Sequence, residues 1–447
     1  MTYDPVLYSR MLTELTFAFH IIFATIGVGI PVMIAFAEWS GIKRNDPYYL
    51  LLARRWARGF VITVAVGVVT GTAIGLQLSL LWPSFMRVAG QAIALPLFME
   101  TFAFFFEAIF LGIYLYTWDR FRKPITHFLL SIPVMLGSSA SAFFITTVNA
   151  FMNTPQGFQL NNGSITDIKP LIAMFNPATP TKVAHVLSSA YMTSAFVLAA
   201  IAGAALLKKR DSLYHRKALK LTMIAALIFS ITTALIGDLS GKFLAKYQPE
   251  KLAAAEWHFE TARQVPLVLG GILTEDHQIK YGLKIPFALS ILAHDNPNSE
   301  VQGLNETPVA ERPPLIVHYY FDSMVTIGIF LTVLSMVSVW MVYKLKSVQY
   351  PSWLLRLIVL SGPLAILGIE LGWIYAEVGR QPWILRGYMK TSHGATTSTH
   401  VDLMLLLFCI LYVAIGLTLV KVLRKMFTNS DVQEELKSRG IEGEPTK

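Results

Sequence analysis

Nine runs of apolar residues, each long enough to cross a bilayer, recur along this chain, and a soluble fold has no core large enough to hide them all. Their approximate limits are 12–37, 57–81, 93–117, 127–150, 183–207, 217–239, 318–343, 353–376 and 400–424. A hydrocarbon core about 30 Å thick is crossed by about 20 apolar residues in a helix. Lipid offers backbone groups no partner outside helices and closed barrels. The runs therefore predict an all-α integral membrane protein of about nine transmembrane helices, multi-pass in the cell membrane. The first run contains Glu14 and His20 and has no small-residue cleavage pattern, so it reads as a retained helix and not as a removed signal peptide.

A net charge of +9 invites a nucleic-acid reading, but the distribution of the charge argues against it. Lys43, Arg44, Arg54, Arg55 and Arg58 share one loop, Arg120, Arg122 and Lys123 the next but one, and Lys208, Lys209, Arg210, Arg216 and Lys217 a third. Lys344 and Lys346 follow in the same alternation, then Lys421, Arg424 and Lys425. The intervening loops are poor in Lys and Arg. The positive-inside rule then predicts an external N-terminus and a cytoplasmic C-terminus. The one cysteine, Cys409, lies in the last run. Structural disulfides within the chain, cysteine-based zinc or iron–sulfur sites and covalent haem attachment are therefore excluded.

Four segments organise the chain: helices one to six in 1–239, an external loop in 240–312, helices seven to nine in 313–427, and a charged tail in 428–447. The tail reads as disordered. Within the loop, "PEKLAAAEWHFETARQ" (249–264) reads as helical, with Pro249 suited to a first turn. The following "HDNPNSEVQGLNETPVAERPP" (294–314) is turn-rich and reads as flexible. Gly67, Gly71 and Gly75 in "GVVTGTAIG" stand four apart, which lets a neighbouring helix approach closely or makes room for a flat cofactor.

Ionisable residues inside a bilayer cost at least about 2.5–3.5 kcal/mol each and are functional candidates for that reason. His20 in "LTFAFHIIFA" and His185 in "KVAHVLSSAYM" could each be a hydrogen-bonded structural histidine. Met324 could be core filler, and Glu377 could be a partner for Arg380 one turn on. The predicted topology nevertheless brings all four to the external half of the bilayer on four helices. His, Met and carboxylate are also haem-iron ligands open to a protein without usable cysteine. Glu100 and Glu107, seven apart in "LPLFMETFAFFFEAIF", share one helix face. They could pass protons, or pair between helices in protonated form.

The most specific motif is "GWIYAEVGRQPW" (residues 372–383). It is similar to the Gly-Arg-Gln-Pro-Trp signature, with its preceding glutamate, of subunit I of cytochrome bd-type quinol oxidases. "LYSRMLTELTFAFHIIFATIGVG", "TWDR", "VNAFMNTPQG" and "KLAAAEW" resemble the same family over essentially the whole chain, in its short-loop form. The resemblance implies that His185 and Met324 are the axial ligands of a low-spin haem b. It implies that His20 and Glu377 hold a high-spin haem b and a haem d, in an order the sequence leaves open. Arg380 would neutralise a carboxylate or propionate, and Trp373 and Trp383 would pack near the macrocycles or anchor the interface. Lys251 and Glu256 would serve quinol oxidation, and their spacing of five favours separate roles over a mutual ion pair. Glu100 and Glu107 would lie on the proton route.

The implied activity is quinol:oxygen oxidoreduction, with dioxygen reduced to water and proton motive force generated without pumping. The implied partners are membrane quinol, a second membrane subunit and, in some members, a small single-helix subunit. One departure stands out: Asp322 occupies the place, two before Met324, where the family often has arginine. The alternatives are a non-redox proton-coupled transporter and a family member carrying only b-type haems.

Overall fold

The computed structural model describes residues 3–161, 164–208, 213–345, 350–428 and 432–438. Among the described residues, nine helices are long and apolar enough to span a membrane. They are α1 (Pro5–Arg44), α2 (Pro47–Leu81), α3 (Pro83–Tyr116), α4 (Pro124–Asn153), α5 (Thr179–Leu207), α6 (Leu213–Tyr247), α7 (Val317–Leu345), α8 (Ser352–Val378) and α9 (Val401–Thr428). Local chemistry sets several of their ends. Asp4 Oδ1 accepts the Val6 and Leu7 amides at 2.9 and 3.3 Å and starts α1. Asn45 ends α1 in the left-handed region at φ 50°, and Asp46 caps α2 through the Tyr48 amide at 3.0 Å. Pro5, Pro47, Pro83 and Pro124 occupy first-turn positions, where the missing N–H removes nothing.

Lipid is as apolar as a leucine side chain, so close packing, not water exclusion, holds such helices together. α1 and α5 lie innermost and α9 outermost. Small residues set the close contacts. A methyl group on Gly29 of α1 would lie 2.2 Å from Ser194 Oγ of α5, and one on Gly362 of α8 would lie 2.8 Å from Ala200 of α5.

The connections sort onto two ends. At one end the basic loops meet: Lys217 pairs with Asp46 at 2.5 Å and Arg54 with Asp119 at 3.0 Å. At the other, the segment between α6 and α7 folds over the bundle and meets its neighbours. There Arg386 pairs with Glu250 at 2.6 Å and its amide reaches the Met152 carbonyl at 3.0 Å.

Three expectations need correction. The helix expected over 249–264 stops at Ala255. Trp257 adopts a positive φ of 47°, its Nε1 donates to the Leu315 carbonyl at 2.9 Å, and its ring stacks on His318 at 3.8 Å. Tertiary contacts override helix propensity there. The stretch expected to be flexible is ordered: Glu300–Val301 pairs with Ala262–Arg263, and two 3₁₀ turns follow. The charged tail contains a docked helix, Val432–Lys437, whose Glu435 pairs with Arg55 and Arg58 at 2.6 Å each while Leu436 is buried. The rest of the tail, 429–431 and 439–447, lies outside the described residues.

Candidate functional site

α8 ends one residue past Glu377, and the chain then turns back on itself. Gly379 caps the helix at a spot where a methyl group would lie 2.7 Å from Lys251 Cε. This turn lets Arg380 fold back, pair with Glu377 Oε2 and donate to the Ile384 carbonyl. The other oxygen, Oε1, accepts from Asn149 Nδ2 of α4 at 2.6 Å, and Asn149 Oδ1 in turn accepts from Lys182 Nζ of α5 at 2.5 Å. Three helices and a loop thus converge on one carboxylate. The Glu377 side chain still keeps 29 % of its surface accessible, so a further group can approach it. Trp373, one turn earlier on α8, is half-buried.

The other candidate ligands sit in less polar surroundings. His20 of α1 rests against α2, where its Nδ1 lies 2.8 Å from Thr70 Oγ1 and a methyl on Gly71 would lie 3.2 Å from its Cε1. Of the glycine stripe, Gly71 therefore accommodates the His20 ring, while Gly75 opens on space with nothing within 4 Å of a methyl placed there. His185 of α5 faces Gly237 of α6, and its Nδ1 is buried without a hydrogen-bond partner among the described residues. Met324 of α7 lies on α8, where a methyl on Gly372 would approach its sulfur to 3.0 Å. A buried imidazole nitrogen without a partner and a thioether laid on a glycine backbone fit the donor set that haem iron takes from His and Met.

Lys251 and Glu256 do not pair. Lys251 is 3 % exposed, donates to the Ala376 carbonyl at 2.9 Å and stands 4.7 Å from the centre of the Tyr375 ring. It thereby meets the last turn of α8, where helix carbonyls favour a cation. Burial holds its pKa well below the usual lysine range, with Lys182 and Arg380 acting in the same direction against Glu377 and Glu250. Glu256 is 1 % exposed; its Oε2 accepts the Val268 amide at 3.3 Å and its Oε1 has no partner. Burial first, and then the Asp322 carboxylate, push its pKa well above the usual carboxylate range against the Val268 amide. Asp322 accepts the Gly270 amide at 2.5 Å and lies 3.2 Å from His318 Nε2, and His318 Nδ1 lies 2.7 Å from the Ala255 carbonyl. The Asp322–His318 pair therefore ties the loop to the first turns of α7.

Glu100 and Glu107 both face α4. Ser141 Oγ donates to Glu100 Oε1 at 2.9 Å. Glu107 is buried against Gly137, where a methyl would lie 2.9 Å from its Cβ. Asn149, Lys182, Thr70 and His318 escaped the sequence reading. Lys182 had a usable signal: it is a lysine one turn before His185, at the edge of the apolar run 183–207, where a charge beside the bilayer is costly.

Comparison with known proteins shows the family of the chain. The profile of the family Cytochrome bd terminal oxidase subunit I matches residues 8–431. A protein of Bacillus subtilis (strain 168), provisionally named cytochrome bd menaquinol oxidase subunit I, is 42 % identical over 97 % of this chain and 99 % of its own. A second from that strain, cytochrome bd ubiquinol oxidase subunit 1, is 31 % identical over 91 % of this chain and 90 % of its own. The solved structure of the bd oxidase from Geobacillus thermodenitrificans superposes with a TM-score of 0.93 at 66 % identity, covering 96 % of this chain and 99 % of that one.

Proposed function

The chain belongs to the cytochrome bd terminal oxidase subunit I family, and from that premise we propose how its residues divide the work of oxidising quinol and reducing dioxygen to water. It is a multi-pass subunit of a cell-membrane quinol oxidase, an oxidoreductase that uses haem and works with a subunit II. The transporter alternative falls with that membership.

His185 and Met324 would together hold a haem b, and that group would supply electron transfer. His20 and Glu377 would each hold one of two further haems, a second b and a d, and those groups would supply the oxygen chemistry. Arg380 would balance charge beside Glu377. When bound, the haems supply one-electron transfer and the reduction of dioxygen. Lys251 would hold the quinone oxygen and Glu256 would take the quinol proton. The observation that carries this division is the bond from Lys251 Nζ to the Ala376 carbonyl at 2.9 Å, which ties the loop to the residue before Glu377.

The basic end is cytoplasmic on this reading, and protons for water enter from that side, past Glu107 and then Glu100. Protons are released outside and consumed from inside, which stores about 2.3 kcal/mol per charge at 100 mV without a pump. A second membrane subunit completes the assembly, which in some family members also includes a small single-helix subunit.

The test is Glu256→Gln in the purified assembly. A base whose pKa is raised holds its proton to higher pH, so quinol oxidation in wild type rises with pH through a midpoint above the ordinary carboxylate range. The variant loses most of the activity and that rise. An unchanged rate and pH profile would remove Glu256 from the reaction.

A further inference from the structure

The His20 ring has two nitrogens, and its neighbours decide which one carries the proton. Nδ1 lies 2.8 Å from Thr70 Oγ1. The single hydroxyl hydrogen of Thr70 is directed back along its own helix, to the Val66 carbonyl at 2.9 Å and the Gly67 carbonyl at 3.1 Å. This is a common disposition of threonine inside a helix. With its hydrogen committed there, Oγ1 meets the ring as an acceptor, so Nδ1 must donate.

The opposite arrangement fails on a second count. It would put the ring proton on Nε2, which has no hydrogen-bond partner among the described residues. A bare N–H in apolar surroundings is costlier than a bare lone pair. The ring is also held in place: it rests on Gly71, where a methyl would crowd Cε1 at 3.2 Å, and α2 opens beyond it at Gly75.

The geometry points to Thr70 as a positioning residue that locks His20 in its Nδ1–H tautomer and presents the Nε2 lone pair to haem iron. This rests on the reading of His20 as an iron ligand. A hydrogen bond on the far nitrogen of a metal-bound histidine fixes its orientation and raises its basicity. Among the described residues His185 has no such partner on Nδ1, so of the two candidate histidine ligands the device belongs to His20.

The test uses the full oxidase, purified with its companion subunit, as wild type, Thr70→Val, Thr70→Ala, Thr70→Ser and His20→Ala. The readouts are haem content and the iron–histidine stretching band of the reduced protein in resonance Raman spectra. Thr70→Val removes the acceptor at constant shape, and Thr70→Ala does so without bulk should valine block assembly. Both are expected to lower the band frequency and to weaken haem retention by about 10–100-fold. Thr70→Ser is expected to restore both, and His20→Ala to lack the band. A wild-type band and wild-type haem retention in the Val and Ala variants, with the band absent from His20→Ala, would overturn the role of Thr70 alone. A band that persists in His20→Ala would overturn the ligand reading along with it.

Discussion

The Glu377 corner and the His185–Met324 region lie in one bundle yet are built on opposite principles. At the corner both carboxylate oxygens are answered by polar groups: Asn149 holds one, Arg380 the other, and Lys182 holds Asn149. Around His185 and Met324 the structure supplies shape instead, with glycines at 237 and 372 and a nitrogen left without a partner. The difference follows from charge. A carboxylate among transmembrane helices needs compensation whether or not a cofactor is present, because an uncompensated buried ion is costly. Neutral imidazole and thioether need only room and an approach. The candidate anionic ligand is therefore built into the fold's own stability, and the candidate neutral ligands are largely independent of it.

Removing one partner at the charged corner should have the largest effect. Arg380→Leu leaves Glu377 facing Asn149 without its counter-ion, and breaking such a pair costs about 3–5 kcal/mol. The expected outcome is a sharp fall in the yield and melting temperature of assembled enzyme. A variant that assembles and melts like wild type would break the comparison. The smallest effect is expected where the same chemistry meets water. Asp119 of the Arg54–Asp119 pair is 71 % exposed, so Asp119→Asn should change stability by about 0–1 kcal/mol, read as a melting temperature nearly unchanged.

What could be read from the sequence, and what could not, divides along similar lines. The nine spans were legible because their apolar length is a local property. So was the Glu377–Arg380 pair, set by a spacing of three at a helix end. That Lys251 and Glu256 do not pair with each other followed from their spacing of five. The end of the loop helix at Ala255 was not legible, because Trp257 is turned by contacts with Leu315 and His318, some sixty residues away. The order in the loop escaped for a related reason: its strands are two or three residues long, and Glu300–Val301 is held by Ala262–Arg263, far earlier in the sequence. Asn149 and Thr70 are ordinary polar residues in helices, and only the neighbouring helix gives them a task.

The most direct test of the central claim is the haem content and low-spin spectrum of purified Met324→Leu. The swap nearly conserves volume in a neutral site, so it should cost less than about 1.5 kcal/mol of stability and leave the assembly intact. The account predicts a folded complex that lacks the low-spin b signal while the other haem signals remain. A folded complex that keeps the wild-type low-spin spectrum would contradict it.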